Sequence, residues 1–107
     1  MFWPVLVHGQ EILKQLQAPG SEPRGLTWDG HSLWCADASA QRVYQIDPDD
    51  GQIISSFDYS MDFQYGGLGW SPEGYLWITD YRESQSWFDK VHPTSGSVIS
   101  SFHCPGG

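Results

Sequence analysis

The chain has 107 residues, of which 39% are hydrophobic and 17% charged, a balance typical of one globular domain rather than a disordered chain. The formal net charge is −8 and the five basic residues are dispersed, so neither nucleic acid nor an anionic membrane is an expected partner. The apolar run in residues 1–7 is too short for a signal peptide core or a membrane span, and a cytoplasmic location is the default expectation. Six Trp, five Tyr and five Phe require burial, and twelve Gly and seven Pro predict many turns between short elements.

The first predicted element lies in residues 10–17. The pattern Ile12-Leu13-x-x-Leu16, followed by Pro19-Gly20, fits either a short amphipathic helix or a strand. We favour the strand, because Val98-Ile99-x-x-Phe102 followed by Pro105-Gly106 repeats the pattern at a constant shift of 86 residues. Residues 1–22 are therefore predicted to be a partial N-terminal repeat or an extension.

Two fuller repeats follow, in residues 23–64 and 65–107. Their matching segments occur in the same order, with a shift that grows from 42 to 45 residues where turns differ in length. The matches are Gly25-Leu26-x-Trp28 with Gly67-Leu68-x-Trp70, Leu33-Trp34-x-x-Asp37 with Leu76-Trp77-x-x-Asp80, and Pro48, Gly51 and Phe57 with Pro93, Gly96 and Phe102.

Each repeat divides into four short segments that predict β-strands separated by Gly- and Pro-containing turns. The predicted strands are residues 25–28, 32–36, 42–47 and 52–57 in the first repeat, and 67–70, 75–79, 87–92 and 97–102 in the second. Four strands in about 43 residues is the size of one β-propeller blade.

The segment from Pro23 through Trp34 and Asp37 to Pro48 and Gly51 resembles blades of the NHL/YncE-like propellers. It is also similar to blades of the glutamine cyclotransferase-type and streptogramin-lyase-type propellers. The resemblance implies an all-β fold of two tandem four-stranded β-propeller blades, 23–64 and 65–107. It implies no single activity, because these groups include enzymes, ligand binders and interaction platforms.

Two blades are too few to close a propeller, which typically has four to eight. Their two outer faces would leave Trp and Leu side chains bare, so we expect a homo-oligomer that completes the ring. Six blades from three chains are favoured, with four blades from two chains or eight from four as alternatives. The competing explanation is that the chain is a fragment of a longer propeller.

The repeated residues are predicted to be structural. Asp37 and Asp80 are expected to cap turns rather than to bind metal, and the Trp residues of the two repeats are expected in the core between blades. Cys35 and Cys104 are expected to be free thiols. The four His residues share no ligand spacing, so neither a metal nor another cofactor is predicted.

The least repeated segment, residues 58–66, connects the two predicted blades and would lie at one mouth of the channel. We predict that it binds a small polar ligand through Tyr59, Asp62, Phe63 and Tyr65, with Glu22 and Arg24 on the same rim. The alternative is that these rings only pack beneath the loop. The expected function is a non-enzymatic scaffold or binding module. The alternatives are an enzyme of lyase or cyclotransferase type that uses a divalent cation, and a fragment without independent function.

Overall fold

Eight antiparallel strands form two four-stranded sheets in the computed structural model, which describes residues 13–59, 67–82 and 85–103. The first sheet has the order β1-β2-β3-β4 and the second β5-β6-β7-β8, so each strand pairs with the next one along the chain. The strands are β1 (Pro23–Trp28), β2 (Leu33–Asp37), β3 (Arg42–Ile46), β4 (Ile53–Asp58), β5 (Leu68–Ser71), β6 (Tyr75–Arg82), β7 (Gln85–Val91) and β8 (Val98–His103). The predicted all-β class and the predicted strands of both repeats are confirmed, with ends that differ by at most three residues.

The turn between the third and fourth strands has the same construction in both sheets. Gly51 donates its N–H to the carbonyl of Asp47, and Gly96 donates to that of His92, both at 2.8 Å. Each glycine has a φ of 78°, a left-handed conformation that a side chain disfavours. The third and fourth strands of each repeat are therefore joined by turns with the same hydrogen bond and the same glycine conformation.

The core lies between the two sheets, in a contact that we call the junction. Its centre is the stacking of Trp34 on Trp70, with ring centroids 6.1 Å apart. The innermost strands β1 and β5 are neighbours, since a Cβ at Gly25 would lie 3.0 Å from the backbone nitrogen of Leu68. The buried side chains of the junction are Trp34, Ala36, Val43, Phe57 and Tyr59 from the first sheet, and Leu76, Ile78 and Val91 from the second.

Side chains alternate between the two faces of a strand, so each sheet also has an outer face turned away from the junction. The outer face of the first sheet consists of Leu26, Trp28, Leu33, Cys35 and Ile46, and that of the second consists of Tyr75, Trp77, Phe88, Lys90 and Phe102. Trp28 is 50% exposed and Phe102 is 53% exposed. Large apolar side chains therefore remain in contact with solvent on both outer faces.

The predicted N-terminal strand is wrong for the residues that the structure describes. Residues 13–18 form no strand, and residues 10–12 lie outside the described part of the chain. A strand needs a partner edge for its N–H and C=O groups, and the matching strand would belong to a sheet preceding β1. The described residues contain no helix long and apolar enough to cross a membrane.

Candidate interaction site

The predicted rim corresponds to one edge of the first sheet, where β1 and β3 begin and β2 and β4 end. Pro23, Asp37, Arg42 and Asp58 pair in that order across the four strands and mark this edge. Glu22 and Arg24 flank the start of β1 at the same edge, and Tyr59 directly follows β4. The backbone of all three residues thus lies at this edge, but only Glu22 and Arg24 have exposed side chains there.

Two exposed ion pairs lie along this edge. A guanidinium nitrogen of Arg24 is 3.6 Å from a carboxylate oxygen of Glu22, and one of Arg42 is 2.8 Å from Asp58. Pairs this open to solvent contribute little to stability, up to about 1 kcal/mol. They can therefore exchange partners at small cost, and the fold does not depend on either pair.

A buried carboxylate, that of Asp37, organises the backbone beneath the rim. It accepts hydrogen bonds from the backbone N–H of Glu22 at 2.7 Å and of Ala40 at 2.8 Å, and from the hydroxyl of Ser39 at 2.8 Å. Burial alone would raise the pKa of Asp37, but these three donors outweigh it and lower the pKa. A Cβ at Gly20 would overlap the carboxylate. The prediction that Asp37 caps the turn after its strand is confirmed, and Asp37 also fixes the approach to β1. Its counterpart Asp80 lies within β6, which continues to Arg82.

Tyr59 lies inside the junction rather than on the open rim. Its hydroxyl donates a hydrogen bond to the buried carboxylate of Asp89, whose other oxygen accepts from Ser101 at 2.7 Å. The ring meets that of Phe57 edge to face, with centroids 6.3 Å apart. For Tyr59 this geometry is the packing alternative, in which the ring anchors the start of the connecting loop.

The remaining predicted ligand-binding residues, Asp62, Phe63 and Tyr65, lie outside the described residues, as does Cys104. Their roles stay predictions. The described residues that flank this loop are Tyr59, which lies in the junction, and Gly67, which lies beside Gly25.

A groove of about 550 Å³ lies between the outer face of the first sheet and the N-terminal segment. The groove is largely apolar, although Lys14, Gln17 and Arg24 also line it. Its principal lining residues are Leu16, Ala18 and Pro19 from the segment, and Leu26, Leu33, Cys35 and Ile46 from the sheet. The sequence analysis predicted apolar side chains on the outer faces but no groove. The available signal was the repeat, since Leu26 and Leu33 match Leu68 and Leu76 of the second sheet.

Cys35 is a free thiol within β2, as predicted. Burial, and next the negative charge of Asp37, raise the pKa of the thiol. The protonated form is therefore favoured at neutral pH, and the thiolate needed for nucleophilic chemistry is scarce. This observation supports a packing role for Cys35.

Potential metal ligands are dispersed in the described residues. His31, His92 and His103 are exposed, and the described part of the chain has no group of three or more His, Cys, Asp or Glu residues that could hold a metal ion. The buried carboxylate of Asp89 was not predicted from the sequence. Its counterpart in the first repeat is Tyr44, so the repeat pattern contains no signal for it.

Comparison with known proteins adds no assignment at this point: no family model, no curated protein and no solved structure matches the chain.

Proposed function

We propose that the two sheets are adjacent blades of a β-propeller, which completes its ring with further copies of the chain and serves as a binding scaffold. The observation that supports the ring is the asymmetry of the junction. The first sheet contributes Trp34, Val43 and Phe57, whereas the second contributes the counterparts of the first sheet's other face. The two sheets are thus stacked head to tail, and a head-to-tail contact repeats around a ring when its rotation closes.

Each outer face is equivalent by the repeat to one side of the junction, but no second sheet in the described part of the chain packs against it. Trp77, Phe88 and Phe102 on the second sheet are the repeat counterparts of the buried Trp34, Val43 and Phe57. The outer face of the first sheet is in turn equivalent to the second sheet's side of the junction, with Leu26, Trp28 and Ile46 in place of Leu68, Trp70 and Val91. A second copy stacked in the same way would pair Trp77 with Trp28, as Trp34 pairs with Trp70.

Burial of apolar area provides the driving force for this assembly. Leaving rings such as Trp28 and Phe102 half exposed forgoes stabilisation of about 25 cal/mol for each Å² of apolar surface. An exposed patch of this kind on a folded domain is typical of an interaction surface. Three chains would give six blades, within the usual range for closed propellers.

The proposed binding site is the rim, repeated once per chain around the ring. Glu22 and Arg24 provide exchangeable charges, and the loop residues Asp62, Phe63 and Tyr65 would add a carboxylate and aromatic faces. Asp37 positions the backbone before β1 through its hydrogen bond with Glu22, and Tyr59 anchors the start of the connecting loop. Such a set fits a small polar ligand with both hydrogen-bonding and apolar parts.

Light scattering tests the ring. We expect a molar mass of three times the 12.1 kDa chain at high concentration. Phe102→Asp should abolish assembly while each chain stays folded, because it places a charge on the outer face of the second sheet. Thr94→Asp is the control, because Thr94 is exposed in the turn between β7 and β8, outside the strands that form the outer face. A well-folded wild-type chain that stays monomeric at all concentrations would contradict the ring.

A thermal-shift panel of amino acids, sugars and dicarboxylates tests the rim. A compound that binds there should raise the melting temperature of the wild type and have a weaker effect on Arg24→Gln. Glu73→Gln is the control, since Glu73 lies in the turn between β5 and β6, at the opposite edge of the sheets. Equal shifts in the wild type and Arg24→Gln would place the binding site elsewhere.

A further inference from the structure

Residues 13–19 cover part of the outer face of the first sheet, the face to which the proposed ring would add a second copy. Leu16 is the central contact: its Cβ and Cδ2 atoms lie 3.5 Å from the position that a Cβ of Gly51 would occupy. Ala18 and Pro19 line the same groove as Leu26 and Leu33. The segment thus shields part of this apolar face, while Leu26 stays 63% exposed.

The contact of Leu16 with Gly51 reproduces a contact within the junction. There, the ring of Phe57 packs against Gly96, with Cδ1 of Phe57 2.6 Å from the position of a Gly96 Cβ. Gly51 and Gly96 are repeat counterparts with the same φ of 78°. Leu16 is the counterpart of Phe57 and Phe102 in the N-terminal partial repeat. Leu16 therefore occupies the position at Gly51 that Phe102 of a second copy would take in the ring.

Leu16 and an incoming Phe102 cannot share this position. In the junction the Phe57 ring approaches Gly96 so closely that even a methyl group has no room. The same geometry at Gly51 would leave no space for a leucine side chain beside the phenyl ring. Assembly of a ring with the geometry of the junction thus requires one of the two groups to leave.

The N-terminal segment is the weaker of the two competitors. Phe102 belongs to β8, which pairs with β7 from Trp87↔His103 to Val91↔Val98 and is fixed by that ladder. Residues 13–18 form neither a strand nor a turn, and Leu13 is 89% exposed. Displacing the segment breaks few packing contacts, whereas displacing β8 would open a sheet.

We propose that residues 13–19 are a self-capping segment, which covers part of the assembly face, at Gly51, in the free chain and is displaced by β8 of an incoming second copy. The inference rests on the proposed ring and specifies how its formation is opposed. The segment shields the first sheet at low concentration, and the exchange of Leu16 for Phe102 favours assembly at high concentration because the larger ring buries more apolar surface. The segment would thus set the concentration at which chains associate.

Light scattering over a dilution series of the full-length chain tests the proposal, with Leu16→Asp as the variant and Leu13→Asp as its control. Both substitutions add the same charge to the same segment, but only position 16 contacts Gly51. Leu16→Asp should lower the concentration of half-assembly about tenfold, the change expected from losing one partly buried leucine contact in the competing state. Leu13→Asp should leave it unchanged.

Each other outcome overturns a specific statement. An unchanged midpoint for Leu16→Asp would show that the segment does not compete, and a raised midpoint would show that it is part of the ring; both refute self-capping and leave the ring intact. Absence of assembly in the wild type and both variants would instead refute the ring. Leu16→Ser, which adds no charge, should shift the midpoint in the same direction by a smaller factor. Far-UV circular dichroism should show unchanged sheet content in all variants.

Discussion

Gly51 and Gly96 form a matched pair for testing the packing between the two sheets. Both have a φ of 78°, so substitution by alanine costs the same backbone strain in each, about 1 kcal/mol. The surroundings differ. At Gly96 the new Cβ would lie 2.6 Å from Cδ1 of Phe57, far inside carbon–carbon contact, whereas at Gly51 the nearest atoms belong to Leu16, at 3.5 Å.

We therefore expect Gly51→Ala to lower the free energy of unfolding by about 1 kcal/mol and Gly96→Ala to lower it by about 2 to 4 kcal/mol. The excess is the cost of overpacking, because the Phe57 ring or the turn has to move. Urea unfolding, followed by tryptophan fluorescence in dilute protein, measures both values, and an unchanged slope with urea would verify that the unfolded reference is the same. Equal losses within about 0.5 kcal/mol would refute the conclusion that Phe57 packs against the second sheet at Gly96.

Three further predictions concern side chains at the junction and in a turn. Phe57 is 6% exposed, so Phe57→Ala should cost about 3 to 5 kcal/mol in the same assay, against less than about 2 kcal/mol for its half-exposed counterpart Phe102; equal costs would contradict the buried position. Tyr59→Phe removes the hydroxyl that donates to buried Asp89 and should cost about 1 to 3 kcal/mol, whereas a loss below about 0.5 kcal/mol would mean that this bond is replaced by water. Burial raises the pKa of Asp29, but hydrogen bonds from Ser32, Trp34 and His31 outweigh it and lower the pKa from 3.8 to about 2. The folded carboxylate thus contributes stability above the ordinary pKa and loses it as the pH falls through 2. When the free energy of unfolding is measured against pH in the acid range, it should fall less for Asp29→Asn than for the wild type, by about 1 kcal/mol, because solvent screens the partly buried group. Identical curves for the two proteins would contradict the lowered pKa.

The strands were predictable because the sequence repeats the residues that turns require. Gly51 and Gly96 recur with a proline three residues before each, and these breaks delimited the apolar segments in both copies. The shared residues also predicted the buried aspartate cap at Asp37. The repeated residues locate the turns because the chain reverses direction at the same points in both sheets.

The contacts that occur once could not be predicted in the same way. Asp89 replaces Tyr44 in the repeat, so its bond with Tyr59 exists only where the first sheet meets the second. Tyr59 was predicted at the ligand-binding rim because it belongs to the least repeated segment, between the two predicted blades, but its ring is buried in the junction. Residues 13–18 had a strand pattern without an available partner edge, and backbone pairing, unlike side-chain pattern, depends on a second strand.

The Tyr59–Asp89 bond has a consequence for the mechanics of a closed ring. A boundary between two chains would have Tyr44 where the boundary within a chain has Asp89. The Tyr59–Asp89 hydrogen bond would therefore have no counterpart between subunits. Boundaries of two strengths would then alternate around the circle. Under urea or dilution the ring would therefore open first at the boundaries between chains. It would release single chains in which the two sheets remain packed together.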